Sequence, residues 1–202
     1  MSSPPQRLTI RTLHAADRTA AAAVLADGMR DNPMELAALA DDGRRREQQL
    51  VRLFRPAVAV PGQRCLGAFA QEGLVGAAVF APPRQCRPPV TSAVRMAGAA
   101  LALGPRAARR LAAWQQAWRR RDPVEVHNHL VLLAVRRDSQ RQAIGTALLA
   151  EYCAQVDESG DVAYLETDTE SNVRFYAGHG FVVVDEARVL GQDNWFMRRT
   201  KP

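Results

Sequence analysis

Residues 139–150, SQRQAIGTALLA, combine residue types and spacing that could bind an anion. A polar, basic stretch gives way to small residues, and a helical pattern begins directly after them. The apolar run from Leu130 to Val135 precedes the stretch and predicts a buried strand. A strand, a loop without bulky side chains and a helix start together offer free backbone N–H groups at the positive end of a helix dipole. We therefore predict a phosphate site at this loop.

The sequence around the loop narrows the kind of phosphate site. Arg136, Arg137 and Arg141 add positive charge beside the predicted N–H groups. The nucleotide-binding pattern GxxxxGK[ST] and the dinucleotide fingerprint GxGxxG are both absent from the sequence. The residues alone thus indicate an anion site that is neither a GxxxxGK[ST] nucleotide site nor a GxGxxG dinucleotide site.

The elements that must position this loop alternate between strands and helices. Strands are predicted over 8–12, 64–71, 74–81, 125–135, 162–167, 181–186 and 194–199. Helices are predicted over 16–29 and 42–54, from the loop to about 158, and over 171–179, where Gly180 ends the helix. A helical excursion is also predicted at about 90–122, split at Gly104-Pro105. Strands 125–135 and 162–167 flank a helix, so they are expected to be parallel neighbours. The predicted fold is a single α/β domain over 7–202, after a loose tail at 1–6, with a mixed sheet of about six or seven strands flanked by helices.

Composition excludes several classes of function. The net charge is +6, but 26 of the 27 basic residues are arginine, which indicates a coding bias rather than a polyanion-binding surface. No aromatic residues are interleaved with the basic ones, so nucleic acid is not an expected partner. Cys65, Cys86 and Cys153 form no CxxC pair, so neither a zinc site nor a disulfide framework is predicted. A cytoplasmic location is expected, because no signal-peptide pattern and no membrane-spanning run is visible.

Two motifs resemble those of a known family. The segment 140–145, QRQAIG, is similar to the acetyl-CoA-binding pattern [Q/R]-x-x-G-x-[G/A] of the GCN5-related N-acetyltransferases (GNAT). Ala143 stands where the pattern has its first glycine, a mild change if the backbone there has negative φ. Downstream, YLETDTESNVRFYAGHGF resembles the second family signature through Asn172, Phe175-Tyr176 and Gly180-Phe181. The resemblance covers about 125–200 and extends more weakly over 7–81, and within the family the chain looks most like puromycin N-acetyltransferase and its relatives.

The resemblance implies a function and a set of cofactor contacts. The implied reaction moves an acetyl group from acetyl-CoA to a primary amine of a small molecule by direct transfer, without a metal. Pantetheine is expected to lie along β-strand residues 133–135, and the pyrophosphate on the N–H groups of 141–146. Backbone N–H groups near Leu133, where the strand bulges in the family, would hold the oxyanion. The implied cofactor-binding residues are Leu133, Ala134, Val135, Gln140, Arg141, Gln142, Ala143, Ile144, Gly145, Thr146, Asn172 and Tyr176.

Tyr176 is the implied general acid, which would protonate the leaving thiolate. The alternative role is structural: a buried ring whose hydroxyl is bonded to the backbone. The sequence alone favours the structural role, and the motif shifts the prediction to catalysis.

The general base is left open among several residues. Glu125, His127 and His129 alternate, so they are predicted to project from one face of their strand. Histidine suits an amine proton near neutral pH, although these residues could equally be ordinary strand residues, with a water chain as the base. Glu166, at the end of the neighbouring strand, is a further candidate for the base, for a substrate contact or for a salt bridge. Glu35 lies where relatives line the acceptor pocket and is predicted to contact the substrate.

Other functions remain open at this stage. A peptide or protein N-acetyltransferase would need a groove open at both ends, whereas a pocket closed by the 95–121 helices would disfavour it. A non-catalytic acyl-CoA-binding module is the alternative from a different class. Trp114, Trp118 and Leu111 share helical spacing typical of core or of a dimer face. The expected partners are acetyl-CoA and an amine, with the chain a monomer or a homodimer.

Overall fold

The structure is a computed structural model that describes residues 8–39, 42–71 and 73–200. The predicted tail at 1–6 and Glu72 of the predicted hairpin turn lie outside these residues. The strands are β1 (Thr9–Thr12), β2 (Arg64–Ala70), β3 (Gly73–Ala81), β4 (His127–Val135), β5 (Val162–Thr167), β6 (Val182–Val189) and β7 (Gln192–Arg199). The helices are α1 (Arg18–Met29), α2 (Pro33–Ala38), α3 (Gly43–Ala57), α4 (Val90–Leu101), α5 (Pro105–Arg119), α6 (Ile144–Ser159) and α7 (Glu170–Ala177).

The described strands form one mixed seven-stranded sheet in the order β1-β2-β3-β4-β5-β7-β6. Strands β1 to β4 pair antiparallel, as do β5, β7 and β6. Strands β4 and β5, joined through α6, are parallel neighbours. The predicted α/β fold with a mixed sheet and the predicted parallel pair are both confirmed.

Helices cover both faces of this sheet. On one face, Leu148, Leu149 and Tyr152 of α6 are fully buried against β2, β3 and β5. On the other face, Leu25 of α1 and Leu50 of α3 are buried over β3 and β4. Each such leucine contributes about 2 kcal/mol of transfer free energy, so the two layers fix the sheet from both sides.

The turn after α1 differs from the sequence prediction. Asn32 is extended, with φ −69° and ψ 149°, as the residue before a proline should be. Pro33 then occupies the first turn of α2, a six-residue helix that the sequence pattern did not predict. A proline at this position favours a helix start, because its missing N–H would be unpaired there anyway.

Other boundaries shift by a few residues. Strand β4 begins at His127, so residues 125 and 126 precede it. Helix α7 ends at Ala177, but Gly180 adopts φ +85°, and the N–H of Phe181 bonds the carbonyl of Tyr176 at 3.2 Å. Gly180 thus closes this helix end as predicted. Gly104, at φ +98°, separates α4 from α5, and Gly160, at φ +70°, ends α6.

The described cysteines Cys65, Cys86 and Cys153 are free thiols. Within the same described part of the chain, every helix is too short or too polar to cross a lipid bilayer.

Gly28 is where α1 approaches β4 most closely, and alanine there should be destabilising. A Cβ at this position would lie 2.6 Å from the Val135 carbonyl oxygen and 2.9 Å from the Ala134 Cβ. We expect Gly28→Ala to cost roughly 1–3 kcal/mol, lowering the melting temperature by about 2–4 °C per kcal/mol. Calorimetric melting checks this. Gly98→Ala in α4 is the control, because its Cβ meets nothing within 4 Å and the change should be neutral or stabilising. Equal stability of Gly28→Ala and the wild type would contradict the close approach.

Candidate active site

The sheet divides between β4 and β5. Their parallel pairing includes three register positions, of which the last joins His129 to Tyr164. Beyond that point β4 continues to Val135 while pairing with β3, and β5 continues to Thr167 while pairing with β7. The facing backbone edges of the two strands are therefore unpaired in the described chain. Such an edge can accept an extended ligand as if it were another strand.

A β-bulge begins this divergence. Leu130 pairs with Phe80 and Leu132 with Val79, which leaves Val131 as an extra residue in β4. A bulge bends its strand and increases the local twist. The family resemblance placed the bulge near Leu133, whereas the structure places it two residues earlier.

The loop predicted to bind phosphate lies at the open end of the gap. Arg141, Gln142 and Ala143 are exposed, and the N–H groups of residues 141–146 bond no acceptor among the described residues. Gln140 is exposed, but its Nε2 donates to the Val135 carbonyl at 3.1 Å. Gln140 thus ties the loop to the end of β4. A Cβ at Gly145 would make only ordinary 3.7 Å contacts with Phe175 and Val135, so the space above the helix start is free.

Ala143 departs from the sequence expectation. Its backbone lies in the left-handed region, with φ +59° and ψ 9°, and Arg141 has φ +60°. The assumption of negative φ at Ala143 is therefore wrong. Alanine carries a cost of roughly 1–2 kcal/mol in this region, which glycine avoids because it has no Cβ. The family pattern has glycine at this position, and Ala143 adopts the left-handed conformation that glycine would adopt without strain.

Tyr176 lies on α7, which packs against the loop through Phe175. Its ring is 7 % exposed within the core, and its hydroxyl has no hydrogen-bond partner among the described residues. Burial and the nearby Asp168 carboxylate raise the pKa of Tyr176 well above its usual value, so the hydroxyl holds its proton at neutral pH. The alternative role, with the hydroxyl tied to the backbone, is not observed. Asn172 is one helical turn earlier, on the same face of α7.

The two histidines of β4 do project from one face. Their rings are 5.9 Å apart, and both meet the Tyr164 ring edge-on at 5.3 Å. His129 Nε2 lies 2.7 Å from Glu166 Oε2. Burial opposes protonation of His129, but Glu166 and Cys86 outweigh it and raise its pKa to about 10. An imidazolium has no free lone pair, so His129 in this pairing is poorly suited to accept an amine proton.

Glu125 lies just outside the strand that carries the two histidines, and its carboxylate is engaged elsewhere. The residue precedes β4, and its side chain is exposed and paired with Arg198 at 2.6 Å. Only its backbone reaches the histidines, since its carbonyl oxygen lies 2.8 Å from His127 Nδ1.

Acidic side chains lie on the acceptor side of the gap. Asp168, directly after β5, accepts the backbone N–H of Met34 at 2.8 Å. Glu35 is 2 % exposed, and its Oε2 is buried without a hydrogen-bond partner in the described chain. Burial and the Asp168 carboxylate raise the pKa of Glu35 well above its usual value. Glu35 is therefore inside the protein at the start of α2, rather than on an open pocket wall.

Helix α5 covers the same region. Trp118 Nε1 donates to Asn194 Oδ1 of β7 at 2.8 Å, and Trp114 meets Trp118 edge-on at 5.2 Å. The carbonyl of Arg121, just after α5, accepts a 3.3 Å hydrogen bond from the Tyr164 hydroxyl. The end of the helical excursion therefore contacts β5 and β7 through these hydrogen bonds.

Sequence reasoning missed three polar residues that the fold brings to this site. Asp168 follows β5, while Cys86 and Asp122 both approach His127 Nε2, at 3.5 and 3.3 Å. Cys86 and His127 are 41 positions apart, so no local spacing rule could have connected them.

Comparison with known proteins agrees with this architecture. Residues 115–196 match the family model described as an acetyltransferase (GNAT) domain. A Corynebacterium glutamicum structure described as histone acetyltransferase HPA2 and related acetyltransferase has 19% identity over 96% of this chain and 97% of that one, with TM-score 0.73. Arylalkylamine N-acetyltransferase 2 from Aedes aegypti has 12% identity over 97% and 100%, with TM-score 0.66. Drosophila melanogaster polyamine N-acetyltransferase has 13% identity over 96% and 100%, with TM-score 0.60. No curated protein sequence matches the chain significantly.

The matched segment contains the diverging strands, the loop at 139–146 and Tyr176. At these identities the similar structures establish the shared fold, and the family match supplies the class. Residues 115–196 therefore match a GNAT acetyltransferase domain, and together with the shared fold this match supports an acyltransferase of the N-acetyltransferase type.

Ala143→Gly should stabilise the protein, because it removes a side chain from a left-handed position. Part of the gain is offset by the greater freedom of glycine in the unfolded chain, so we expect about 0.5–1 kcal/mol. The melting temperature should rise by roughly 1–4 °C in thermal unfolding. Ala147→Gly, one turn later inside α6, is the matched control and should lose about 1 kcal/mol. Similar losses in both variants would disprove the strained conformation.

Proposed function

We propose that the protein transfers the acetyl group of acetyl-CoA to a primary amine of a small molecule. The observation that carries the proposal is the gap between β4 and β5, which opens directly onto the unpaired N–H groups of residues 141–146. A thioester cofactor has an extended arm, which fits the gap, and a pyrophosphate, which fits the N–H groups beside it. Residues Leu133, Ala134 and Val135 would hold the arm along β4, and Asn172 would contact it from α7.

The anion end of the cofactor fits the residues that are present. The loop offers main-chain donors at a helix start, with room above Gly145 and with Arg141 exposed beside them. The loop residues assigned to the pyrophosphate are Arg141, Gln142, Ala143, Ile144, Gly145 and Thr146. Gln140 serves this loop indirectly, because its side chain is engaged with Val135.

In the proposal, three groups of this chain act on the reaction: donors to the oxyanion, a general acid and a general base. Backbone N–H groups at and after the bulge, from Val131 to Leu133, face developing negative charge on the carbonyl oxygen. Tyr176 gives its proton to the thiolate, a step worth roughly 10²–10⁴-fold. Glu166 accepts the amine proton, and His129 is the positioning residue that orients its carboxylate. We assign no proton-transfer role to His127 or Glu125.

The acceptor is proposed to be a small cationic amine. Glu166 and Asp168 place carboxyl groups on this side, although the chain carries a net charge of +6. The end of the helical excursion is bonded to β5 and β7 on this side, and in the proposal it limits the acceptor to a small molecule rather than a peptide. Two structures of the same fold are named for arylalkylamine and polyamine acetylation, and the motif resemblance adds puromycin as a candidate.

The test combines calorimetry with a CoA-release assay. Acetyl-CoA binding is measured first, and turnover is then measured on agmatine, spermidine, tryptamine, puromycin and an unmodified peptide N-terminus. Micromolar cofactor binding with turnover on one or more of the small amines supports the proposal. Turnover on the peptide alone would redirect it to a protein acetyltransferase. Binding without turnover on any amine would indicate a non-catalytic acyl-CoA-binding module.

Tyr176→Phe should lower kcat by at least about tenfold while leaving the affinity for acetyl-CoA nearly unchanged. The ring remains in the core and only the unpaired hydroxyl is lost, so the fold should be intact. Steady-state kinetics and calorimetric titration separate the two effects. Unchanged kcat would remove Tyr176 from the acid role.

Gly145→Glu should abolish acetyl-CoA binding, because a carboxylate would occupy the space assigned to the pyrophosphate. Gly145→Ala is the matched control, since its Cβ makes ordinary 3.7 Å contacts and adds no charge. We expect calorimetry to detect binding for the alanine variant and none for the glutamate variant, with both folded by circular dichroism. Normal binding by folded Gly145→Glu would contradict the loop assignment.

A further inference from the structure

We propose that Cys86, His127 and His129, joined by Asp122, form a binding site for Zn²⁺. This site is separate from the cofactor loop and does not depend on the acetyltransferase proposal. One donor atom from each of Cys86, His127 and His129 lies within 4.8 Å of the other two. Thiolate and imidazole are ligands that Zn²⁺ commonly takes in proteins.

The shortest distances in this cluster match the edges of a tetrahedral zinc site. With Zn–S near 2.3 Å and Zn–N near 2.05 Å, a tetrahedron places sulfur and nitrogen about 3.5 Å apart. The observed distance from Cys86 Sγ to His127 Nε2 is 3.5 Å. For nitrogen and a carboxylate oxygen the same geometry gives about 3.4 Å, and Asp122 Oδ1 lies 3.3 Å from His127 Nε2.

Each imidazole is already held by its other nitrogen. His127 Nδ1 lies 2.8 Å from the Glu125 carbonyl oxygen, and His129 Nε2 lies 2.7 Å from Glu166 Oε2. Ligating histidines in metal sites bond a carbonyl or a carboxylate in this way, which fixes the tautomer and the ring orientation. His127 thus keeps Nε2 for a metal, and His129 keeps Nδ1.

Asp122 supplies an independent observation. Its Oδ1 is buried and has no partner with hydrogen-bond geometry among the described residues, although it is within ion-pair distance of His127. In the described chain this oxygen has only the ion-pair contact with His127, and a metal ion bound by His127 Nε2 would lie within its reach. Asp122 is therefore the fourth ligand in the proposal.

The chain positions Cys86 rigidly for this role. It lies in a proline-rich connection between β3 and α4, where the Gln85 N–H closes a turn onto the Pro82 carbonyl at 3.0 Å. His127 and His129 lie where β4 pairs with β5, and residues 163–165 of β5 are buried. Little rearrangement is needed to bring the donors onto one ion.

Binding exchanges protons for the metal. Burial raises the pKa of the Cys86 thiol, but His127 and His129 outweigh it and lower the pKa to about 7. The ion takes a thiolate and two neutral imidazoles, so the thiol proton and any imidazolium protons pass to the buffer. S–H and N–H bonds are broken as the Zn–S and Zn–N bonds form, and no oxidant or reductant is required.

The test uses the full chain and two metals as probes. Metal-free protein is titrated with Zn²⁺ against a chromophoric chelator and, separately, with Co²⁺ while the absorption spectrum is recorded. We expect one Zn²⁺ per chain at micromolar affinity or better. Co²⁺ should give a thiolate charge-transfer band and the intense d–d bands of tetrahedral geometry. An excess of Zn²⁺ about 100-fold above Kd should raise the melting temperature by roughly 5–10 °C.

The matched variants are Cys86→Ser and Cys65→Ser. Cys86→Ser should weaken Zn²⁺ binding at least about tenfold and remove the charge-transfer band. Cys65→Ser should change neither, because Cys65 lies on β2 outside the cluster. Asp122→Asn should weaken binding while keeping the charge-transfer band, and it serves as a second test if Cys86→Ser does not fold.

Three results would overturn the proposal. These are no binding at micromolar Zn²⁺, equal binding by folded Cys86→Ser, or an octahedral Co²⁺ spectrum without thiolate bands. None of these readouts involves acetyl-CoA or turnover, so failure of the zinc site and failure of the proposed acetyltransferase activity are distinguishable.

Discussion

The parallel pairing between β4 and β5 ends after His129 and Tyr164, and the rest of the site depends on this ending. The bulge at Val131 turns β4 away directly after the last pair. Beyond this point β4 stays paired with β3, and β5 stays paired with β7. These pairings hold the two halves of the sheet apart. A rigid opening with unpaired backbone edges results, and α6 starts at its mouth. Gly28 adds to this rigidity by bringing α1 directly against the end of β4.

Charge is divided across this opening. The loop at the start of α6 presents main-chain N–H groups and Arg141, which suit an anionic cofactor. The acceptor side carries Glu166 and Asp168, which suit a cationic amine. In the proposed reaction the anionic cofactor and the cationic amine meet at one carbonyl carbon. The two opposite charges therefore lie on opposite sides of the opening. His129 connects the acceptor side to the cluster of Cys86, His127 and Asp122, which gives that cluster a direct route to the orientation of Glu166.

The sequence predicted what local patterns encode. Alternating apolar residues, the glycine and proline breaks, and the βαβ order were sufficient for the mixed sheet, the β4–β5 neighbours and the loop before α6. Contacts between distant segments were not predictable in this way. The sign of φ at Ala143 depends on how Gln140 anchors the loop, and the placement of Glu125 depends on where β4 begins. Cys86 joins the histidines only because β3 and β4 are adjacent, a relation that no spacing in the sequence expresses.

The placement of the aromatic side chains has an optical consequence. The chain has three tryptophans. Trp114 and Trp118 lie on α5 over the acceptor side, and Trp195 lies on β7 opposite Thr167 at the end of β5. The segment from Leu133 to Thr146 contains neither tryptophan nor tyrosine. Tryptophan emission therefore reports on the acceptor half of the molecule, while the cofactor loop contributes no fluorophore of its own.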